Sequence, residues 1–169
     1  ARFWKHPWVV AVCNLLLVMV IYSLSRWFFY AINTDMFPGV SAAHLWEMLC
    51  GGVRFDLTAV LYLNSVYILL LPARWRNNRH YQRTAQWFYW VPNALGIAVN
   101  CADMVYVRFT DRRTTCTFFS EFQHDSNLGS IFFQAVAQYW YVTLFAIVML
   151  LLLVLLSRRK PYIVEEKCR

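Results

Sequence analysis

The chain has 169 residues, of which 60% are hydrophobic, 18% aromatic and only 15% charged, with a formal net charge of +7. An average soluble domain carries roughly 25% charged residues and leaves about 30% of its unfolded surface in water at this length, too much to hide 13 Phe, 10 Tyr and 8 Trp beside long aliphatic runs. Low charge excludes a disordered chain, 5 Gly and 5 Pro exclude collagen-like and low-complexity structure, and 5 Cys without a pairing pattern exclude a disulfide scaffold; lipid is the solvent this composition implies.

Four apolar windows follow one another: Trp8 to about Ala31, Phe55 to Leu71, Thr84 to Val107 and Ile131 to Leu156. Each approaches or exceeds the roughly 20 residues that cross about 30 Å of hydrocarbon as a helix. None shows the two-residue alternation of a barrel strand, and backbone groups in lipid must find partners inside their own segment. The expected fold class is therefore all-α, a polytopic membrane bundle of four transmembrane helices. In the first window the apolar run is longer than the about 7–15 residues of a signal-peptide core. Trp27, Phe28, Phe29 and Tyr30 carry it past the small residues Ser23 and Ser25, so it reads as an uncleaved anchor.

Between the first two windows, Ser41 is placed to cap a short helix over about residues 42–50, with Gly51 and Gly52 as its stop. Leu45, Trp46 and Leu49 make an apolar stripe away from His44 and Glu47, which suits a helix lying in the outer interface. Pro72 ends the second window, and a basic turn runs from Arg74 to Arg83. The third window contains Pro92, which predicts a kink, with Asn93 beside it to meet a freed backbone group. The loop from Arg108 to Gly129 is polar, and no repeat or long linker divides the chain, so residues 1–169 read as one transmembrane domain.

Charge orients these windows. With the N-terminus in the cytoplasm, Arg2, Lys5, Arg74, Arg76, Arg79, Arg83, Arg158, Arg159, Lys160, Lys167 and Arg169 are inside, 11 of the 16 basic residues. Arg26, Arg54, Arg108, Arg112 and Arg113 remain outside together with seven of the nine acids. Basic residues mark cytoplasmic loops, so both ends of the chain are expected inside the cytoplasmic (inner) membrane. The basic excess is then topological, and it supplies no argument for a nucleic-acid partner.

Local catalytic signatures are absent: there is no GxSxG, Walker loop, HExxH or CxxC. His44 and Glu47 lie one helical turn apart, but two ligands without a third make a poor metal site, and no metal or catalytic residue is assigned. Cys101 and Cys116 are candidates to meet on the outer side, whereas Cys13 reads as packing. Asn14 and Asn64 read as amides that hydrogen-bond between helices. A denser polar group gathers at the outer ends of the second and third windows: Arg54, Asp56, Asn100, Asp103, Arg108, Arg112 and Arg113. Two readings stay open for it, ordinary interfacial ion pairing and a pocket for a lipid headgroup or a docking domain. In the second reading, four arginines against Asp56 and Asp103 leave a positive excess suited to an anionic phospholipid, with Phe55, Tyr106 and Phe109 beside its apolar portion.

The run Gly51-Gly-Val-Arg-Phe-Asp-Leu57, the end of the third window with Asn100, Asp103, Tyr106, Arg108 and Phe109, and the Arg112-Arg113-Thr114 that follows resemble the N-terminal membrane domain of the lipoteichoic acid synthase family, in its Bacteroidetes-like form. These are sulfatase-like phosphoglycerol transferases of the alkaline phosphatase superfamily. The resemblance spans roughly residues 8–160 in helix order and loop placement. It implies an anchor fragment that carries a C-terminal catalytic domain outside the membrane, where that domain supplies the threonine nucleophile and a divalent metal, and works on lipid headgroups by phosphoglycerol or phosphoethanolamine transfer or by hydrolysis. None of those catalytic groups matches a residue of this chain. The alternative is a self-contained four-helix membrane scaffold or transport subunit without catalysis; only the third window has an internal Pro, where transporters tend to show paired broken helices.

Overall fold

The computed structural model describes residues 7–71, 79–110, 134 and 136–157. Its elements are helical, with no strand among the described residues: α1 (Pro7–Ile32), a 3-10 turn (Thr34–Met36), α2 (Ala42–Leu63), α3 (Ser65–Leu70), α4 (Arg79–Thr110) and α5 (Trp140–Ser157). On α1 the buried positions Ala11, Val18, Ile21 and Ser25 form one face, while Trp8, Val12, Leu16, Val20 and Leu24 repeat every fourth residue on the exposed one. On α5, Val142, Met149 and Leu153 are buried and Leu144, Leu151 and Leu155 exposed. Both faces of these helices are apolar, the pattern of a helix that meets no water on either side. Two segments, Trp8–Ile32 and Trp140–Ser157, are long and apolar enough to cross a membrane.

The helices alternate in direction. Late α1 meets early α5 through the stacked rings of Phe28 and Phe145, centroids 4.0 Å apart. At the opposite end Trp90 Nε1 donates to Ser157 Oγ at 2.7 Å, and the Tyr81 hydroxyl donates to the Leu70 carbonyl, also at 2.7 Å, closing the C-terminus of α3 against the start of α4. Parallel neighbours α1 and α4 finish together, where Arg108 of α4 reaches the Ile32 carbonyl. The result is an up-down-up-down bundle in which α2 and α3 together make one descending rod.

Two expectations need correction. Ser41 does cap α2, accepting from the His44 backbone N–H at 3.3 Å, but no separate helix over 42–50 exists, because α2 runs unbroken through Gly51 and Gly52 to Leu63. A glycine stops a helix by taking a left-handed conformation, and among the described residues the positive-φ glycine is Gly39. At Gly51 and Gly52 the cost is only about 1 kcal/mol each against Ala. The second window is likewise not one continuous helix. It is interrupted at Asn64, whose φ of -99° and ψ of 10° leave the helical well. There the side chain competes for helix acceptors, its Nδ2 donating to the Val60 carbonyl at 2.8 Å, the same oxygen that its own N–H reaches at 3.0 Å. Helix α4 continues through Pro92, and Asn93 donates to the Tyr89 carbonyl at 2.6 Å, beside the Phe88 carbonyl that Pro92 has no N–H to serve. Pro72, the basic turn from Arg74 to Asn78 and the loop beyond Thr110 lie outside the described residues, as does the start of the fourth window.

Candidate functional site

The polar group at one end of the bundle is built on α1. Ser25 is satisfied within its own helix, its hydroxyl donating to the Ile21 carbonyl at 2.9 Å. Arg26, next along, leaves α1 for α2, where its Nη2 donates to Asp56 Oδ1 at 2.6 Å. Gly52 makes that reach possible. It sits one turn before Asp56 on the same face of α2, and a Cβ added there would overlap the Arg26 guanidinium, so the arginine occupies the space that any other side chain would take. Gly96 of α4 serves Tyr22 in the same way, for a Cβ at position 96 would overlap the Tyr22 hydroxyl.

These approaches enclose a partly open cavity of about 70 Å³ lined by Tyr22, Arg26 and Phe29 of α1, Asp56 of α2, and Asn100 and Asp103 of α4. Against about 30 Å³ per liquid water, it has room for a few waters or one small polar group. Two buried oxygens there, Tyr22 Oη and Asp56 Oδ2, have no hydrogen-bond partner. An orphaned buried polar atom costs about 1–3 kcal/mol, a penalty that a bound group with donors would remove.

Three of the seven residues singled out from the sequence, Asp56, Asn100 and Asp103, meet at this pocket. Arg54 does not, since it is exposed two positions before Asp56 and therefore on another face of α2. Arg108 is also elsewhere. Its Nε donates to Asn33 Oδ1 at 3.0 Å, its Nη2 to the Ile32 carbonyl, and Asp35 Oδ2 lies 4.0 Å away. A cation on the terminal carbonyls of α1 is a helix C-terminal brace. Arg112 and Arg113 lie outside the described residues. Sequence reasoning placed Arg26 only as an outer charge and passed over Tyr22. The spacing that would have found them is Tyr22, Arg26 and Phe29 on one face of α1, opposite Gly52 and Asp56 one turn apart on α2.

A second polar cluster lies deeper. Asn64 Nδ2 donates to Asn93 Oδ1 at 3.0 Å while Asn93 Nδ2 donates to Asn64 Oδ1 at 2.7 Å, and both residues are fully buried. Nearby, Asn14 Nδ2 donates to the Tyr67 hydroxyl at 3.2 Å and the Tyr89 hydroxyl donates to the Asn14 carbonyl at 2.9 Å. Asn14 and Asn64 thus bond between helices, as their isolation in apolar windows implies. The Asn64 and Asn93 amides satisfy each other and a carbonyl of their own helices, so this pair serves to join helices.

His44 Nδ1 and Glu47 Oε2 are 3.7 Å apart and both exposed, and no cluster of three metal-ligating side chains occurs among the described residues. Cys101 is buried and Cys116 lies outside the described residues, so their pairing has no geometry to report. No family model matches the chain, and no curated protein or solved structure is significantly similar to it.

Proposed function

We propose that this chain is the membrane domain of a sulfatase-fold phosphoglycerol or phosphoethanolamine transferase or hydrolase, crossing the cytoplasmic membrane four times with both ends inside. Helices α1, α4 and α5 and the α2–α3 rod are the four crossings. Their work is to anchor, through a fifth crossing after Arg169, the protein's own C-terminal catalytic domain outside, where that domain would supply the divalent metal, and to meet membrane lipids, anionic phospholipid included, at the outer end. The observation that carries the membrane part is apolar exposure on every helix: Leu16 and Val20 on α1, Phe55 on α2, Leu69 on α3, Leu95 on α4 and Leu151 on α5 are each more than half exposed. A soluble monomer rarely leaves apolar patches of more than a few hundred Å² in water. Lipid removes the difficulty. Support for the family part is spatial, because the two runs on which the resemblance rests supply Asp56 on one side and Asn100 and Asp103 on the other to a single pocket.

Topology follows from the 11 basic residues assigned inside against 5 outside. In a cysteine-free background, a single cysteine at Ser126 is expected to label with an impermeant maleimide in intact cells, and one at Asn78 only after permeabilisation. The reverse pattern overturns the orientation. The reading frame past the Arg169 codon tests the anchor itself: a further apolar helix and then a soluble domain of several hundred residues supports it, whereas an immediate stop codon favours the self-contained scaffold.

A further inference from the structure

We infer that the outward face of α2 docks a transmembrane helix of a different membrane protein, one with a carboxylate opposite Arg54. This rests on the membrane placement proposed above and not on the family resemblance. The side of α2 turned toward the bundle carries Gly52, Asp56 and Val60. Opposite it, at the spacings of three and four residues that keep one helical face in line, Glu47, Gly51, Arg54, Thr58 and Tyr62 are all exposed, and Ser65 continues the line past Asn64. The outward lines of the other crossings are apolar: Leu16 and Val20 on α1, Leu95 and Val99 on α4, Leu151 and Leu155 on α5. Apolar lines suit lipid, whereas polar and small side chains within a membrane mark contacts between helices.

Depth decides between lipid and protein as the occupant. Arg54 lies between Gly52 and Asp56, the level at which Arg26 reaches α2, and α1 continues beyond Arg26 by about 9 Å to Ile32. A guanidinium on its flexible stem climbs most of that distance, so a lipid phosphate would serve Arg54 taken alone. It would not serve Tyr62. That residue is 78% exposed and lies midway between Arg54 and Leu70 at the end of α3, with about 12 Å of rod to either. Tyrosine belongs at the membrane surface, where its hydroxyl is wet, and a phenol turned into hydrocarbon without a partner carries an unmet desolvation cost. Among the described residues neither the Arg54 guanidinium nor the Tyr62 hydroxyl has a hydrogen-bond or ion-pair partner. One helix laid along the line serves both.

Charge fixes the partner's chemistry. Glu47, the acid on the same line, is about 10.5 Å from Arg54 along the axis and lies 3.7 Å from His44. Two copies of this chain share one orientation in the membrane, and a two-fold contact through this face sets Arg54 against Arg54. That contact repels. A helix with Asp or Glu in its outer third instead forms a charge-assisted pair with Arg54 where water is scarce, and a hydrogen-bonding side chain about 12 Å deeper meets Tyr62.

The test is site-specific photo-crosslinking of the full-length protein in its native membrane. A photoreactive residue replaces Thr58, between Arg54 and Tyr62, with Leu16 of α1 and Leu151 of α5 as outward controls. Position 58 is expected to give an adduct whose partner peptide, read by mass spectrometry, is a transmembrane segment of another protein with an acidic residue; the controls are expected to give lipid adducts. Arg54→Leu is expected to lower the yield at position 58 about tenfold, the scale of one hydrogen bond to a charged group, and Tyr62→Phe about threefold, the average worth of an interhelical hydrogen bond. Arg54→Glu is expected to abolish the adduct, and reversal of the partner's acid to Arg to restore it. An adduct with a second copy, with another part of this chain or with lipid alone overturns the proposal, as does a protein adduct indifferent to Arg54→Glu. These side chains face away from the bundle, so labelling at Asn78 and Ser126 is expected to be unchanged in every variant. Intact labelling without a protein adduct overturns this proposal alone, whereas a reversed labelling pattern overturns the orientation on which it rests.

Discussion

Gly52→Ala is expected to destabilise the bundle by about 3 kcal/mol, opposite in sign to the effect of a glycine-to-alanine exchange judged on helix propensity alone. Propensity by itself favours alanine by about 1 kcal/mol in a helix interior. The opposing effect is the loss of the Arg26–Asp56 pair. A Cβ at position 52 overlaps the guanidinium, and the flexible arginine can swing away without strain, so the steric conflict itself is small. What remains behind is Asp56, whose side chain is 13% exposed and whose Oδ2 already lacks a partner. Breaking a buried pair from one side costs about 3–5 kcal/mol, and the 26% exposure of the Arg26 side chain places this pair at the low end. Arg26→Met is expected to cost a similar amount for the same reason.

The control reverses the sign. With both ends replaced, as in Arg26→Met with Asp56→Leu, no charge is left stranded, and exchange of a whole buried pair for apolar groups is often neutral or stabilising. In that background Gly52→Ala is expected to stabilise by up to about 1 kcal/mol, since no guanidinium occupies the space. Reversible unfolding in mixed micelles measures all four variants. If Gly52→Ala destabilises equally in both backgrounds, the glycine serves something other than the approach of Arg26.

The helices were legible in the sequence because their signal is local: apolar runs near membrane length and the Ser41 cap each depend on residues close together in the chain. The interruption at Asn64 and the continuity through Gly51 and Gly52 were not, because both are decided by partners on other helices. Read locally, two glycines after a helical turn make a stop. Only the arrival of Arg26 from α1 shows why a missing side chain at position 52 is worth its cost in helix propensity. The same limit divided the polar site. Asp56, Asn100 and Asp103 were found from their density near the helix ends, but assigning Arg108 to the same site assumed that nearby charges share one purpose. By helical rise, Arg108 lies about 7.5 Å beyond Asp103 along α4, far enough to leave the pocket and meet the C-terminus of α1 instead. A guanidinium carries five donors, and the terminal carbonyl of α1 with the Asn33 side chain engages part of that set.

The reciprocal amide pair supplies the second large effect. Asn93→Leu is expected to cost about 3 kcal/mol, although leucine is close in size and far better suited to apolar surroundings. Asn64 and Asn93 exchange two hydrogen bonds, and each also donates to a carbonyl of its own helix, Val60 and Tyr89 respectively. Removing Asn93 therefore leaves the Asn64 side-chain oxygen without its partner at a position fully shut off from solvent. An orphaned buried group costs about 1–3 kcal/mol, and a single interhelical hydrogen bond in a membrane bundle is worth only about 0.6 kcal/mol on average. The prediction therefore rests on the orphan more than on the bonds lost. Hence Asn64→Leu with Asn93→Leu is expected to be less destabilised than either single variant, because no amide remains to be satisfied and α2 gains a residue that no longer competes for the Val60 carbonyl. A double-mutant cycle on midpoints in mixed micelles reads this as a coupling of about 1–3 kcal/mol between the two positions. Additive losses, with the double variant the least stable of the three, would mean that the two amides act separately and that the interruption at Asn64 is set by α2 alone.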